Sequence, residues 1–181
     1  MAQLTNNPWS YQTADIAIAT ITGATGLTLN ADGTVSITTT GALTFNATAD
    51  SNTAFTVFGA TSALYNGFYT RISGASGASA FVMQPNFVIP AGTAQSGGGT
   101  IAQVLYRNRV RMEDISWQST TGSVLVATDT LELRDRNGNI IWNAIVPTGP
   151  SSFSQNRGKI YWVSGLVPTV LTHGIVLMTV N

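Results

Sequence analysis

The residues from Asp15 onward form short stretches in which apolar and polar positions alternate. Threonine, valine, isoleucine and phenylalanine are frequent in these stretches, and glycines separate them. Alternation with a period of two residues is typical of half-buried β-strands, whereas an amphipathic helix needs a period of about 3.6 residues. The pattern therefore predicts an all-β protein.

The segment Leu27–Ile37 is predicted to form a hairpin, because an Asp-Gly pair interrupts its alternation. A two-residue turn would place an apolar residue opposite Ser36. A three-residue loop that ends in a left-handed Gly33 instead pairs Leu29 with Val35 and the two ends of the segment with each other. One face is then wholly apolar, so we expect this second register.

The segment 91–100, with the sequence AGTAQSGGGT, lacks apolar alternation and is rich in glycine. Such segments are typical of flexible connections. We therefore expect two small antiparallel β-sandwich or barrel domains joined by a Gly-rich linker. The predicted divisions are an N-terminal β domain over residues 1–96 that begins with a short arm over residues 1–13, a linker over residues 97–100, and a C-terminal β-sandwich over residues 101–181.

Eight alternating stretches follow in the C-terminal part, separated by turn-forming pairs that contain glycine. Seven or eight strands in about 80 residues is the spacing of a sandwich or barrel. Trp117, Trp142 and Trp162 fall on different predicted strands, so we expect all three to contribute to one core. The predicted strands are Gln103–Asp114, Ser116–Gln118, Val124–Ala127, Thr130–Arg134, Ile140–Ala144, Lys159–Val163, Leu166–Leu171 and Ile175–Val180.

Charged residues are scarce, with eight basic and eight acidic side chains among 181 residues. A soluble domain usually carries charge on about a quarter of its residues. The first 106 residues hold four of the charges, and none lies among the 35 residues between Arg71 and Arg107. Surfaces that lack charge are commonly covered by another molecule. We therefore expect the charge-poor N-terminal half to be covered in an assembly.

The sequence also argues against some classes of partner and predicts the compartment in which the chain folds. The chain has no cysteine, so disulfides and thiolate metal sites are excluded, and its net charge of zero argues against nucleic acid or a membrane as the partner. The first ten residues lack the features of an export signal, so we expect folding in a cytoplasm. The uncharged segment 160–181 has the length of a membrane span, but Pro168 and two glycines favour two strands and a turn.

Motifs for catalysis or metal binding are weak. His173 is the only histidine, and it precedes a glycine in a predicted turn, without a nucleophile motif. Asp129 and Glu132 stand three apart on a predicted strand and would point to opposite faces. The segment Asp135–Asn139 resembles a calcium loop, but Val146 occupies the position of its bidentate glutamate, so a hairpin tip is favoured. We expect no enzymatic activity, no metal and no cofactor.

Arg107, Arg109 and Arg111 are the candidate interface residues, because strand alternation places all three guanidinium groups on one face. Arginine is preferred where planar contacts to carboxylates are made across an interface, which predicts a subunit contact. The alternative is a solvated face whose charges discourage pairing with other strands. Glu113 and Asp114 follow directly and argue against a nucleic-acid patch.

Four motifs in the C-terminal part carry a resemblance to a known family. They are Val110 followed after four residues by the sequence ISW at Ile115–Trp117, the segment DTLELRDRNGNI at Asp129–Ile140, the pair Gly165-Leu166, and the stretch from Gly174-Ile175 to Val180. With this set, the C-terminal part resembles the small β-sandwich virion structural proteins of tailed bacteriophages, of the capsid decoration or cement type. The resemblance implies a homo-oligomer, often a trimer, that binds the major capsid protein or other virion proteins.

The sequence therefore predicts a capsid decoration or cement protein that folds in the host cytoplasm and is then located on the virion, where it adds interface area to the shell. One alternative is a tail or head-tail connector component that forms a ring. Another is a host-recognition or carbohydrate-binding adhesin of a fibre or tail tip, in which aromatic side chains stack on sugar rings. The candidate aromatic residues are Trp9, Tyr11, Tyr65, Tyr69 and Trp162.

Overall fold

The structure is a computed structural model that describes residues 9–12, 16–45, 53–147, 152–155 and 161–180. The described residues form fourteen β-strands and one short 3₁₀ turn at Ala63–Tyr65. The strands build two seven-stranded antiparallel sheets, which curl into half-barrels. This architecture confirms the predicted all-β fold of sandwich or barrel type.

The first sheet comes from the N-terminal half of the chain. Its strands are β2 (Ile18–Thr20), β3 (Leu27–Leu29), β4 (Val35–Leu43), β5 (Ala54–Phe58), β6 (Gly67–Ser73), β7 (Ala78–Pro85) and β8 (Thr100–Gln103). Their order across the sheet is β2-β8-β5-β6-β7-β4-β3. The sheet curls far enough for the end of its first strand to return to β4. There Ile21 pairs with Thr39, and the N–H of Thr22 donates to the carbonyl of Thr38 at 2.9 Å.

The predicted hairpin is confirmed in the first sheet. Leu29 lies opposite Val35 and Leu27 lies opposite Ile37, in the register of the three-residue loop. Gly33 has a φ of +82°, the left-handed conformation that this loop requires. Leu27, Val35 and Ile37 are fully buried, which shows that the apolar face of the hairpin points into the core.

The second sheet comes mainly from the C-terminal half. Its strands are β1 (Trp9–Gln12), β9 (Tyr106–Gln118), β10 (Thr130–Arg134), β11 (Ile140–Ile145), β12 (Ser152–Gln155), β13 (Tyr161–Leu171) and β14 (Ile175–Val180). Their order is β1-β14-β9-β13-β10-β11, and β12 pairs with the far end of β9. Trp117 and Trp142 are buried in the core of this sheet, whereas Trp162 is 56% exposed, so the expectation that all three indoles share one core is wrong for Trp162.

Two pairs of predicted strands are continuous in the structure. The stretches on either side of Ile115 form the single strand β9, because that residue pairs with Met178 across the sheet. The stretches on either side of Ser164 form the single strand β13, which pairs with β9 along its first half and with β10 along its second half. Gly165, with a φ of +82°, lies where β13 passes from one partner strand to the other.

The predicted strand at 124–127 is absent, because side chains take the place of a partner strand. The N–H of Leu125 donates to Oγ of Ser119 at 3.0 Å, and the N–H of Val126 donates to Oδ2 of Asp129 at 2.7 Å.

The strand β12 was not predicted. The segment 160–181 contributes two strands with a turn between them, as expected, and the described part of the chain contains no helix long and apolar enough to cross a membrane.

The chain passes from one sheet to the other between Val104 and Leu105. The N–H of Val104 donates to the carbonyl of Ala54 in the first sheet, and the N–H of Leu105 donates to the carbonyl of Leu166 in the second. Residues 101–103 therefore belong to the first sheet, although the predicted division places them in the C-terminal domain. Conversely, β1 lies in the predicted N-terminal arm but pairs with β14.

The three consecutive glycines of the predicted linker pack against the first sheet. The N–H of Thr61 donates to the carbonyl of Gly97 at 3.0 Å, and the N–H of Ile21 donates to the carbonyl of Gly99 at 3.0 Å. A Cβ atom on Gly97 would lie 2.5 Å from the backbone of Gly23. The glycines therefore permit a close approach of backbones.

Candidate functional site

The predicted arginine face lies on β9, where this strand pairs with the first half of β13. Arg109 lies opposite Ser164, and Arg111 lies opposite Trp162. Arg109 is exposed and Arg111 is half-buried, whereas the neighbouring Met112 is 1% exposed and points into the core. Alternation thus separates these two arginines from the core, as the sequence predicts. The backbone of Arg107 lies in the same strand, and its side chain lies outside the described residues.

Trp162 combines with one of these arginines in a stacked pair. The guanidinium carbon of Arg109 lies 5.1 Å from the ring centroid of Trp162. At an exposed site such a cation–π contact contributes about 0.5 to 1 kcal/mol. The pair presents an exposed indole beside a guanidinium that carries N–H donors. Tryptophan and arginine are among the residue types most enriched where protein interfaces concentrate their binding free energy.

An open groove of about 610 Å³ lies on β10, β11 and the second half of β13. Its apolar rim includes Ile145, which is 66% exposed, and Val170, which is 39% exposed. Glu132 is the one charged residue that lines it within the described chain. Burial raises the pKa of this carboxyl, but hydrogen bonds from Arg134 and Thr169, both at 2.7 Å, outweigh burial and hold its pKa below the ordinary value. Oε1 of Glu132 therefore accepts two hydrogen bonds that favour the ionised carboxylate, unlike the carboxyl of a general acid.

Asp129 and His173 form a hydrogen-bonded pair at the turn between β13 and β14. Oδ1 of Asp129 lies 2.8 Å from Nδ1 of His173, and its other oxygen accepts from the N–H of Val126. Burial raises the pKa of Asp129, but these two hydrogen bonds outweigh burial, and the pKa is lowered. The carboxyl is 4% exposed and the imidazole 45% exposed.

The backbone beside this pair is fixed by two further hydrogen bonds. The indole Nε1 of Trp117 donates to the carbonyl of His173 at 2.7 Å, and the N–H of Gly174 donates to Oγ of Ser123 at 2.7 Å. His173 is therefore a turn residue, as the sequence predicts, and the turn is attached to the core. The nearby Ser123 hydroxyl contacts the backbone instead of the imidazole. Among the described residues, no group of three or more potential metal ligands is present.

The segment Asp135–Asn139 forms the tip of the β10–β11 hairpin, which confirms the hairpin interpretation. Oδ1 of Asp135 accepts from the N–H groups of Asn137 and Asn139 at 2.9 Å each, and Oδ2 accepts from Nδ2 of Asn139 at 2.9 Å. Gly138 has a φ of +87°. The carboxylate oxygens that a calcium loop would direct at an ion thus hold the turn itself.

This hairpin tip docks onto the first sheet and forms the joint between the two sheets. The guanidinium carbon of Arg134 lies 4.5 Å from the ring centroid of Phe58, and that of Arg136 lies 5.5 Å from the centroid of Phe68. Oγ1 of Thr56 donates to the carbonyl of Arg136 at 2.7 Å. Sequence reasoning missed this joint, because both arginines alternate with apolar or turn residues as ordinary solvent-facing charges do.

Most of the aromatic residues expected to stack on sugars are core residues. Tyr11, Tyr65 and Tyr69 are at most 1% exposed, and burial raises the pKa of Tyr11 and of Tyr69. The hydroxyl of Tyr69 donates to the carbonyl of Tyr65 at 2.6 Å, deep in the first sheet. The expectation that these three tyrosines bind sugars is therefore wrong. Trp162 is exposed, and the side chain of Trp9 lies outside the described residues.

Comparison of the chain with known protein families, with curated proteins and with solved structures finds no match.

Proposed function

We propose that this protein is a non-enzymatic structural component of a tailed-bacteriophage virion, specifically a capsid decoration or cement protein that acts as a homo-oligomer. The observation that carries the proposal is the exposed pair of Arg109 and Trp162 on a sheet of an otherwise charge-poor chain. The resemblance of the C-terminal part to virion β-sandwich proteins supports the same function.

The pair of Arg109 and Trp162 suits a contact with another virion subunit. Burying the exposed part of an indole contributes about 2 to 3 kcal/mol at ordinary transfer values. The contact with the indole favours some orientations of the guanidinium over others, and its N–H donors suit carboxylates of the partner. Several such contacts per oligomer add interface area that the shell alone lacks.

The N-terminal half also carries exposed apolar side chains. Leu64, Ile72 and Val88 are 50%, 56% and 89% exposed, and Arg71 is the only charged residue between positions 50 and 107. Exposed apolar side chains in a charge-poor segment favour association over solvation. In the proposed function, these side chains are covered by capsid protein or by another copy of the chain.

The decisive experiment adds purified protein to particles that lack it and measures binding and resistance to heat. Wild-type protein is expected to raise the temperature at which particles lose their genome. The Trp162→Ser and Arg109→Ser variants are expected to bind at least about tenfold more weakly, because an interface anchor typically contributes about 2 kcal/mol or more. Asn143→Ala is the control, since it changes an exposed residue on β11, away from the pair.

Two outcomes would contradict the proposal. Particles without the protein could be as stable as complete ones, or the serine variants of Arg107, Arg109 and Arg111 could assemble like wild type, which would favour the solvated-face interpretation. Counting copies per particle separates a decoration protein, present across the shell, from a connector component present in one ring.

A further inference from the structure

Strand β11 forms one edge of the second sheet. It is the last strand in the order of that sheet, and among the described residues no strand pairs with its outer side. The first sheet meets the β10–β11 hairpin at its tip, whereas Asn143 and Ile145 lie toward the other end of β11. Asn143 is exposed, and Ile145 is 66% exposed. These two residues are therefore accessible to another molecule.

The backbone groups of Asn143 and Ile145 point away from their own sheet. Thr130, the partner of Ile145 on β10, directs both its N–H and its carbonyl at Thr172 on the other side. Opposite residues of an antiparallel pair exchange either both hydrogen bonds or neither, so the N–H and carbonyl of Ile145 face outward. Asn143 lies two residues earlier, without a register shift in between, and has the same orientation.

These outward groups are complementary to a second copy of the same strand. In an antiparallel pair centred on Ala144, the N–H and carbonyl of Asn143 meet the carbonyl and N–H of Ile145 in the other copy, and the reverse contact forms by symmetry. A single register thus pairs every outward group of both residues. Pro147 lacks an N–H, and a register shift falls between Trp142 and Ile140, so the pairing is confined to this short segment.

The side chains of β11 are compatible with this symmetric contact. Ala144 stands at the two-fold axis, where opposite Cα atoms of a pair without hydrogen bonds approach to about 4.5 Å and a small side chain fits. None of the six residues of Ile140–Ile145 is charged, so the axis brings no like charges of this strand together. Edge strands that remain unpaired commonly carry lysine or another charge. Strand β11 lacks this protection and exposes Ile145 instead.

We propose that two copies of the chain associate edge to edge through β11, in an antiparallel pair centred on Ala144. The contact joins the second sheets of the two copies into one continuous sheet, and because it is isologous it closes at a dimer. Glu132 on the neighbouring strand is paired with Arg134, so it adds no unpaired charge beside the contact. The contact is separate from the pair of Arg109 and Trp162, and it does not depend on the proposed virion function.

The test measures the mass of the purified full chain by sedimentation over a range of concentrations. We expect a concentration-dependent dimer. Asn143→Pro removes the outward N–H from each copy, so it is expected to weaken dimerisation at least about tenfold, as for two lost hydrogen bonds. Proline is tolerated at an edge position whose N–H faces solvent. Asn143→Ala is the matched control, since it keeps this N–H, and it is expected to dimerise like wild type.

Ile145→Lys is the second test variant, because it places two like charges near the axis at a position that is exposed in the isolated chain. It is expected to weaken dimerisation by a similar factor, and it tests the proposal even if Asn143→Pro disturbs the fold. Trp162→Ser changes the separate surface of the proposed function and is expected to leave the dimer intact.

Hydrogen exchange locates the contact. The N–H groups of Asn143 and Ile145 are expected to exchange more slowly at concentrations where the dimer forms than in the dilute monomer. A monomer at every concentration would overturn the proposal, including one whose edge is protected only when a different protein is added. An oligomer that Asn143→Pro and Ile145→Lys leave unchanged, or whose exchange at these two residues is independent of concentration, would also overturn it.

Discussion

The guanidinium of Arg134 lies over the ring of Phe58, with 4.5 Å between the guanidinium carbon and the ring centroid, and this contact joins the two sheets. Nε of the same arginine is 2.7 Å from Oε1 of Glu132, and Nη1 donates to the carbonyl of Gly138. Both of these partners lie in the β10–β11 hairpin, so the hairpin itself orients the guanidinium. The hairpin tip therefore presents a preorganised contact surface to that sheet.

We expect Arg134 and Phe58 to be energetically coupled. A double-mutant cycle with Arg134→Met, Phe58→Leu and the double variant should give a coupling of about 0.5 to 2 kcal/mol in the free energy of unfolding, because the contact is partly desolvated. Urea denaturation measures it. The pair of Arg109 and Trp162, which has similar geometry but is exposed, provides the comparison and should give a smaller coupling. Zero coupling at Arg134 would show that the joint is held by other contacts.

Replacing Gly138 by alanine should destabilise the protein by about 2 to 4 kcal/mol. The residue has a φ of +87°, and an added Cβ would lie 2.7 Å from Cβ of Phe58. Gly77→Ala is the matched control, because Gly77 has a φ of +86° but no heavy atom within 4 Å of an added Cβ. Chemical denaturation should show a cost of only about 1 kcal/mol for the control. Equal costs would mean that the close approach to Phe58 relaxes freely.

Asp129 should make the free energy of unfolding depend on pH in the acid range. Its pKa in the folded state is lowered from the ordinary 3.8, so its contribution to stability is present above that value and is lost as the pH falls through the lowered pKa. The Asp129→Asn variant should therefore be less stable near neutral pH and lose less of its remaining stability below pH 3.8. Unfolding free energies measured from about pH 7 down to about pH 2 test this expectation. Parallel curves for the two proteins would contradict it.

Two indoles of the second sheet should respond differently to the same substitution. Trp117 is fully buried and donates to the carbonyl of His173, so Trp117→Phe should lower the free energy of unfolding by about 2 to 4 kcal/mol through a lost hydrogen bond and a cavity. Trp162 is 56% exposed, and Trp162→Phe should change the free energy of unfolding by less than about 1 kcal/mol. Thermal and urea unfolding measure both. A large loss at Trp162 would indicate that the indole supports the fold of the isolated chain.

Local patterns were sufficient to predict much of the fold. The register of the Leu27–Ile37 hairpin follows from its own side chains, because a slip by one residue would expose every apolar position. The hairpin tip at Asp135–Asn139 is also local, since its carboxylate satisfies the N–H groups of its own loop. The turn at His173 was likewise predicted from its own neighbours, because a glycine follows the histidine.

What the sequence determined by itself is therefore the all-β class and its local turns, because a period of two and turn chemistry act between near neighbours. The tertiary structure decided which residues reach solvent and which meet across the joint. Tyr69 is buried and Trp162 is exposed although both lie on alternating strands, since the curl of each sheet and the partner strands select the inner face. The contact of Arg134 with Phe58 likewise depends on how two separate sheets pack.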